Sequence, residues 1–135
     1  MRAVVDTNVL VSGLLKPAGP PGRIVDFLRT GQLTLVIDDR TLNEYVRVLR
    51  RPYFERYFGE KDREHLIEYL THNSEYVIAT AQCIDLPDPY DTPFLETALT
   101  AGAALVIGNL KHFPSDKTGT CKIYTPADFV RAIMN

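Results

Sequence analysis

The apolar positions of this chain change period several times, and each change marks an element. Ala3, Val4 and Val5 form a short, partly β-branched run that predicts a buried strand. Val9, Leu10 and Val11 continue the apolar character beyond Asp6, Thr7 and Asn8. The chain then runs through Ser12-Gly13 into a breaker cluster, Lys16-Pro17-Ala18-Gly19-Pro20-Pro21-Gly22, which reads as a loop. Helical spacing follows at Ile24, Val25, Phe27 and Leu28, closed by Thr30-Gly31. Leu33, Leu35, Val36 and Ile37 read as a second strand. Asp38 or Asp39 can cap the next helix, whose stripe is Leu42, Tyr45, Val46 and Leu49 and whose end is Arg51-Pro52.

Residues 53–73 read as further helix broken near Gly59, and Tyr76-Val77-Ile78 as a short strand. A polar, proline-rich loop from Cys83 to Pro93 precedes a helical stripe at Phe94, Leu95, Ala98 and Leu99. Ala104–Ile107 is a strand, 108–120 a loop, and Lys122-Ile123-Tyr124 a last short strand. Thr125 as N-cap, Pro126 at the first helical position and Asp128 in the first turn open a final helix. Strands alternating with helices predict an α/β fold with right-handed crossovers and a mainly parallel sheet of about five strands, covered on both faces.

The 135 residues suit one domain spanning 1–135. Hydrophobic content of 45% and charged content of 24% are those of a globular protein, and a net charge of −2 does not announce a nucleic-acid binder. Cys83 and Cys121 form no CxxC pair, so reduced thiols are expected. No run approaches the roughly 20 apolar residues that span a bilayer, and no charged-then-apolar leader is present. The expectation is a cytoplasmic protein with no membrane partner.

Chemistry enters through the acids. Asp6 ends a buried strand, where a carboxylate must be paired, hydrogen-bonded or bound to a cation. Asp38 and Asp39 follow strand two, Glu44 lies just over one turn beyond, Asp88 and Asp91 precede the helix near Pro93, and Gly108-Asn109 follows the Ala104–Ile107 strand. In a parallel sheet all strand C-termini share one edge, so these groups are candidates to converge. Converging carboxylates repel, and no lysine within these segments neutralises them. A hard divalent cation, Mg²⁺ or Mn²⁺, would do so, and could activate a water and stabilise a phosphodiester leaving oxygen. Each acid also has a plainer role. Asp6-Thr7-Asn8 can form a capped turn, Asp38 and Asp39 suit caps better than ligands, and Glu44 alone would be a solvated helix residue. Asp88 and Asp91 are good cap and turn residues, and Asn109 a turn residue.

The segments Val4-Val5-Asp6-Thr7-Asn8-Val9-Leu10, Gly19-Pro20-Pro21-Gly22-Arg23-Ile24, Leu42-Asn43-Glu44-Tyr45, Leu86-Pro87-Asp88-Pro89-Tyr90-Asp91-Thr92-Pro93-Phe94 and Gly108-Asn109-Leu110-Lys111-His112-Phe113-Pro114 occur in order along nearly the whole chain. Together they resemble the PIN-domain ribonucleases, in particular a bacterial and archaeal toxin–antitoxin (VapC-like) subgroup. The resemblance implies a three-layer α/β/α sandwich and cleavage of single-stranded RNA dependent on Mg²⁺ or Mn²⁺. It also makes an antitoxin partner and a homodimer expected. Position by position, Asp6, Glu44 and Asp91 match the core catalytic and metal-holding acids. Asp88 matches an accessory acid, Asn109 falls where many relatives carry a fourth acid, and Thr7 and Asn8 match polar neighbours of the first acid. Tyr90 and Thr92 stand where relatives often carry acids, and Ile107 where Thr or Ser is common. With Asn109 neutral, the resemblance implies one well-held metal and a second that is weak or arrives with substrate.

RNA must also be gripped. Arg47, Arg50, Arg51, Arg56, Lys61 and Arg63 are interleaved with Tyr53, Phe54, Tyr57 and Phe58, and cations with aromatic faces suit a single strand. The plainer reading, a solvated helix pair whose aromatics are core, suits the aromatics better, and a partner surface is the alternative for the arginines. Arg47, Arg51 and Lys111, with Thr7 and Asn8, are the substrate-binding candidates, and Lys16 and Arg23 also flank the site segments. His65 and His72 read as helix-surface or packing residues, and His112 as a loop residue near Asn109. Two other functions compete: a non-catalytic RNA-binding or protein-interaction module of the same fold, and a DNA nuclease or phosphatase on a similar acidic site.

Overall fold

The computed structural model describes residues 1–82 and 85–134. Its strands are β1 (Arg2–Val5), β2 (Thr34–Ile37), β3 (Glu75–Tyr76), β4 (Ala104–Val106) and β5 (Ile123–Tyr124). Its helices are α1 (Thr7–Leu15), α2 (Pro20–Thr30), α3 (Asp39–Leu49), α4 (Glu60–Asn73), α5 (Thr92–Ala101) and α6 (Pro126–Met134). The strands line up as β3-β2-β1-β4-β5, every neighbouring pair parallel. With the helices they make a three-layer α/β/α sandwich. The chain builds outward from β1 to β3, then returns to the other side of β1 for β4 and β5. The order therefore reverses between β1 and β4, and the crevice outside the C-terminal ends of those two strands is where such sheets bind ligands.

The core strands carry the β-branched and aliphatic runs expected of them. Ala3, Val4, Val5, Val36, Ile37, Leu105, Val106 and Ile107 are wholly buried. Helix α5 packs on β1, β2 and β4, and α2 packs on α1 and α6. The caps follow the sequence. Asp38 starts α3 with a reciprocal capping box to Thr41, and left-handed glycines end α2 (Gly31) and α5 (Gly102). Thr125 Oγ1 accepts from Asp128 N, as expected of the α6 cap, while the Asp128 carboxylate pairs with Arg131.

Helix α1 is the main departure from the sequence pattern, which marks no helix between Asp6 and the breaker cluster. Thr7, Val9, Leu10, Val11 and Gly13 are all buried, so the helix is covered on several faces and shows no amphipathic stripe. The breaker cluster is also shorter than its composition suggests. Pro20 and Pro21 are the first helical residues of α2, where a missing N–H costs nothing. Strand β3 is Glu75–Tyr76 rather than 76–78. Loop 108–120 contains two short 3₁₀ turns, Leu110–His112 and Ser115–Lys117. Another, Pro89–Asp91, interrupts the proline-rich loop before α5. Cys121 sets its thiol against the Ala103 and Lys122 carbonyls, and Cys83, the start of that loop, lies outside the described residues. Among the described residues no helix is long and apolar enough to cross a membrane.

The α1–α2 corner tolerates no side chain at two glycines. A Cβ on Gly13 would stand 2.3 Å from the Pro21 carbonyl oxygen, and one on Gly22 would stand 1.9 Å from that of Pro17. Both obstacles are backbone. Gly13→Ala and Gly22→Ala are therefore expected to destabilise the fold by about 1–3 kcal/mol each. Urea denaturation checks this, and midpoints unchanged from the natural chain would refute the close approach.

Candidate active site

Asp6 leaves β1 and becomes the N-cap of α1. Its Oδ1 accepts from Val9 N at 2.9 Å and its Oδ2 accepts from Gly108 N at 3.1 Å. The same carboxylate thus caps a helix and ties the end of β1 to the loop after β4. The cap role and the site role, alternatives in the sequence, are held together by one residue. Asp6 is 9% exposed, and burial raises its pKa above the ordinary carboxylate value. The two backbone N–H groups work against that rise, and the charge of Glu44 adds to it.

Glu44 arrives from α3. Its Oε2 accepts the Thr7 hydroxyl, and its Oε1 lies 3.8 Å from Arg47. The next residue, Tyr45, is fully buried and donates its hydroxyl to the Val5 carbonyl, so α3 is pinned to the residue before Asp6. Burial, then the charges of Asp6 and Glu44, keep that phenol protonated.

Asp88 and Asp91 sit on the short turn before α5. Asp88 Oδ1 caps it by accepting from Tyr90 N at 3.0 Å. Asp91 makes no side-chain cap bond to α5, and its Oδ2 is buried without a hydrogen bond. His112 Nδ1 lies 3.0 Å from that oxygen, close enough to offset its charge. Asp91 is pushed up to about 6, by burial first and then by the negative charges of Asp88 and Asp6, with His112 pulling the other way. A buried, unsatisfied carboxylate oxygen among like charges is what a divalent cation relieves, so the donor set fits such an ion.

Asp6, Thr7, Asn8, Glu44, Arg47, Arg51, Asp88 and Asp91 line one cleft of about 520 Å³, together with Tyr90 and Phe94. Its floor is the β1–β4 switch point. Lys111 and Asn109 do not line it. The Asn109 amide oxygen caps the Leu110–His112 turn by accepting from Lys111 N, the turn role open to it from the sequence. A neighbouring cleft of about 530 Å³ is lined by Asp38, Arg40, Tyr76 and Glu96. There Arg40 bridges Asp38 at 2.8 Å and Glu96 at 2.7 Å. Those acids already have their counter-ion, and Asp38 is a cap, as its plainer role had it.

The basic–aromatic segment divides. Phe54 is buried and Phe58 packs against the core, while Tyr53 and Tyr57 are exposed. Arg50 is held by Glu64, and Arg56 stacks over Tyr53. Only Arg47 and Arg51 of this segment face the acidic cleft. The residue that sequence reasoning undervalued is His112. Its one signal was proximity to Asn109, and loop histidines seldom mean more.

A family model described as PIN domain matches residues 2–110. An uncharacterized protein of Methanocaldococcus jannaschii is 25% identical over 112 residues, covering 81% of this chain and 71% of the relative. Among solved structures, VapBC2 from Rickettsia felis bound to a DNA fragment from their promoter matches with a TM-score of 0.61 at 15% identity, covering 93% of this chain and 98% of that one. VapBC-1 from nontypeable Haemophilus influenzae matches with a TM-score of 0.62 at 17% identity, covering 94% and 99%. At these identities the two structures are likenesses of fold.

The raised pKa of Asp91 has a sign that can be checked. Its folded value, about 6, lies above the unfolded value of roughly 3.9. The neutral form is the one the fold favours, so its stabilising contribution is complete below the unfolded value and is lost as pH rises through about 6. In metal-free buffer, the melting temperature of Asp91→Asn minus that of the natural chain should increase from about pH 4 to about pH 7. A difference that stays flat across that window would refute the shift.

Proposed function

Because the chain belongs to the PIN domain family, we propose that it is a divalent-metal-dependent endoribonuclease of single-stranded RNA, the toxin of a toxin–antitoxin pair. The observation that carries this reading is the meeting of Asp6, Glu44, Asp88 and Asp91 in one cleft at the sheet's switch point, with an unsatisfied buried oxygen on Asp91. VapBC proteins share the fold, which supports an antitoxin partner. A homodimer and a cytoplasmic setting belong to the same reading.

The residues that would hold the ion are Asp6, Glu44, Asp91 and Asp88. Asn109 contributes at most through the oxygen that now caps its own turn. A divalent cation bound there supplies Lewis-acid stabilisation of phosphodiester oxygens and makes a water more acidic. The chain's own groups do the rest. Two backbone N–H groups hold Asp6, and the Thr7 hydroxyl holds Glu44, so neither carboxylate reorganises when substrate arrives. Arg47 and Arg51 receive the phosphates on either side of the scissile one, and Asn8 is an exposed polar contact at the mouth. Tyr90, 73% exposed at the rim, offers a ring face to an unpaired base. Water adds to phosphorus in line and the P–O3′ bond breaks, leaving a 3′-hydroxyl and a 5′-phosphate.

Asp6→Asn keeps an oxygen for the α1 cap, gives up the acceptor for Gly108 N, and removes the charge. It is expected to fold and to lower Mn²⁺-supported cleavage of single-stranded RNA on the order of a hundredfold or more. Retained activity in that variant would overturn the mechanism. If instead calorimetry finds no Mg²⁺ or Mn²⁺ binding at millimolar metal, the chain is a non-catalytic PIN-fold module. Single- and double-stranded RNA, DNA and small phosphoesters assayed side by side test the substrate class. Arg51→Ala should weaken RNA binding regardless of sequence and flatten the slope of log affinity against log salt by about 0.7. An unchanged slope would remove Arg51 from the RNA path.

A further inference from the structure

We infer that His112, which stands beside Asp88 and Asp91 without lining the cleft itself, is a nitrogen ligand of the ion those acids hold and makes the site favour Mn²⁺ over Mg²⁺. The inference rests on the metal-dependent reading above and extends it to a residue that the acids alone do not require.

Asp88, Asp91 and His112 each offer a ligand atom, and the three atoms lie within 4.8 Å of one another. That spacing lets one cation touch all three. None of the three is fully exposed, and the imidazole is presented by a held backbone. The Leu110–His112 turn is closed by His112 N to Asn109 O at 3.1 Å and Phe113 N to Leu110 O at 3.0 Å. The Asn109 side chain caps it, and buried Phe113 anchors its end. Asn109, expected as a metal ligand itself, thus orients the residue that takes that place.

A plain His112–Asp91 ion pair is the competing account. It accounts for the 3.0 Å between His112 Nδ1 and Asp91 Oδ2, but not for the third ligand atom, from Asp88, gathered within the same 4.8 Å. The other acids are more occupied. Each oxygen of Asp6 already accepts a backbone N–H, and Glu44 accepts Thr7. Two carboxylates and one imidazole make a mixed oxygen–nitrogen set. First-row transition cations accept imidazole readily, whereas Mg²⁺ demands hard oxygen donors and keeps its waters.

Electron spin-echo spectroscopy of the Mn²⁺-loaded full chain, at mildly alkaline pH, reads a coordinated nitrogen directly. The natural chain should show nitrogen modulation from an imidazole. His112→Ala and His112→Lys should both lose it. His112→Lys keeps a cation beside Asp91, so it separates a ligand from an ion-pair partner. In calorimetry both variants should lose about tenfold or more of the Mn²⁺-to-Mg²⁺ affinity ratio. In His112→Ala, Mg²⁺ affinity itself should move little. Circular dichroism confirms that both fold. Mn²⁺ binding without nitrogen modulation, modulation surviving in His112→Ala, or an affinity ratio unchanged in both variants would overturn the inference and leave the acidic site standing. No binding of either cation at millimolar concentration would overturn the metal-dependent reading along with it.

Discussion

Two backbone N–H groups and one carboxylate hold the centre of this fold together. Asp6 is an anion at the end of a buried strand, and its desolvation would be prohibitive without partners. Val9 N supplies one and Gly108 N the other. The first starts helix α1 and the second fastens the loop after β4, so satisfying one charge fixes three pieces of chain. The strand order reverses at this point, where no β–α–β connection closes the gap between β1 and β4. The crevice that parallel topology leaves open is held in shape by the residue that gives it its charge.

Around that anchor the acids fall into two groups that differ in their counter-ions. On the β2–β3 side, Arg40 reaches both Asp38 and Glu96, and the cleft there is electrostatically settled. On the β1–β4 side Asp6, Glu44, Asp88 and Asp91 share one cleft with Arg47 and Arg51 at its wall. The nearest basic contact to Glu44 is 3.8 Å away on an exposed arginine, which offsets little. The strain shows at Asp91, whose carboxyl is pushed to about 6. Two clefts of similar size along one sheet edge thus differ in kind, one balanced internally and the other left in need of a cation.

Most of this was legible in the sequence because it is periodic or positional. Apolar stripes at helical spacing found α2, α3 and α5, cap signals found α6, and short aliphatic runs found the central strands. Parallel topology made acids far apart in the chain candidates to share one edge, and the family resemblance singled out Asp6, Glu44 and Asp91 among them. What stayed hidden has physical reasons. Helix α1 is buried on several sides, so it lacks the polar face that marks a helix, and its apolar residues read as the continuation of a strand. His112 stayed obscure because its partner Asp91 is twenty-one residues away and the two meet only once two 3₁₀ turns have folded. Lys111, expected at the substrate, does not line the cleft, and the Asn109 amide is occupied by its own cap. Composition could not divide the aromatics of the 53–58 stretch. Burial does, taking Phe54 and Phe58 and leaving Tyr53 and Tyr57 outside.

The hydrogen bond from Tyr45 to the Val5 carbonyl lies one residue from each of two acids, Glu44 and Asp6. Neither carboxylate takes part in it, yet it fixes how far apart they stand, as the pin of a caliper fixes the opening of its jaws. The gauge of the cleft is therefore machined in the hydrophobic interior. A change in packing around Tyr45 would alter the span between two intact carboxylates, and an inventory of surface residues would miss it.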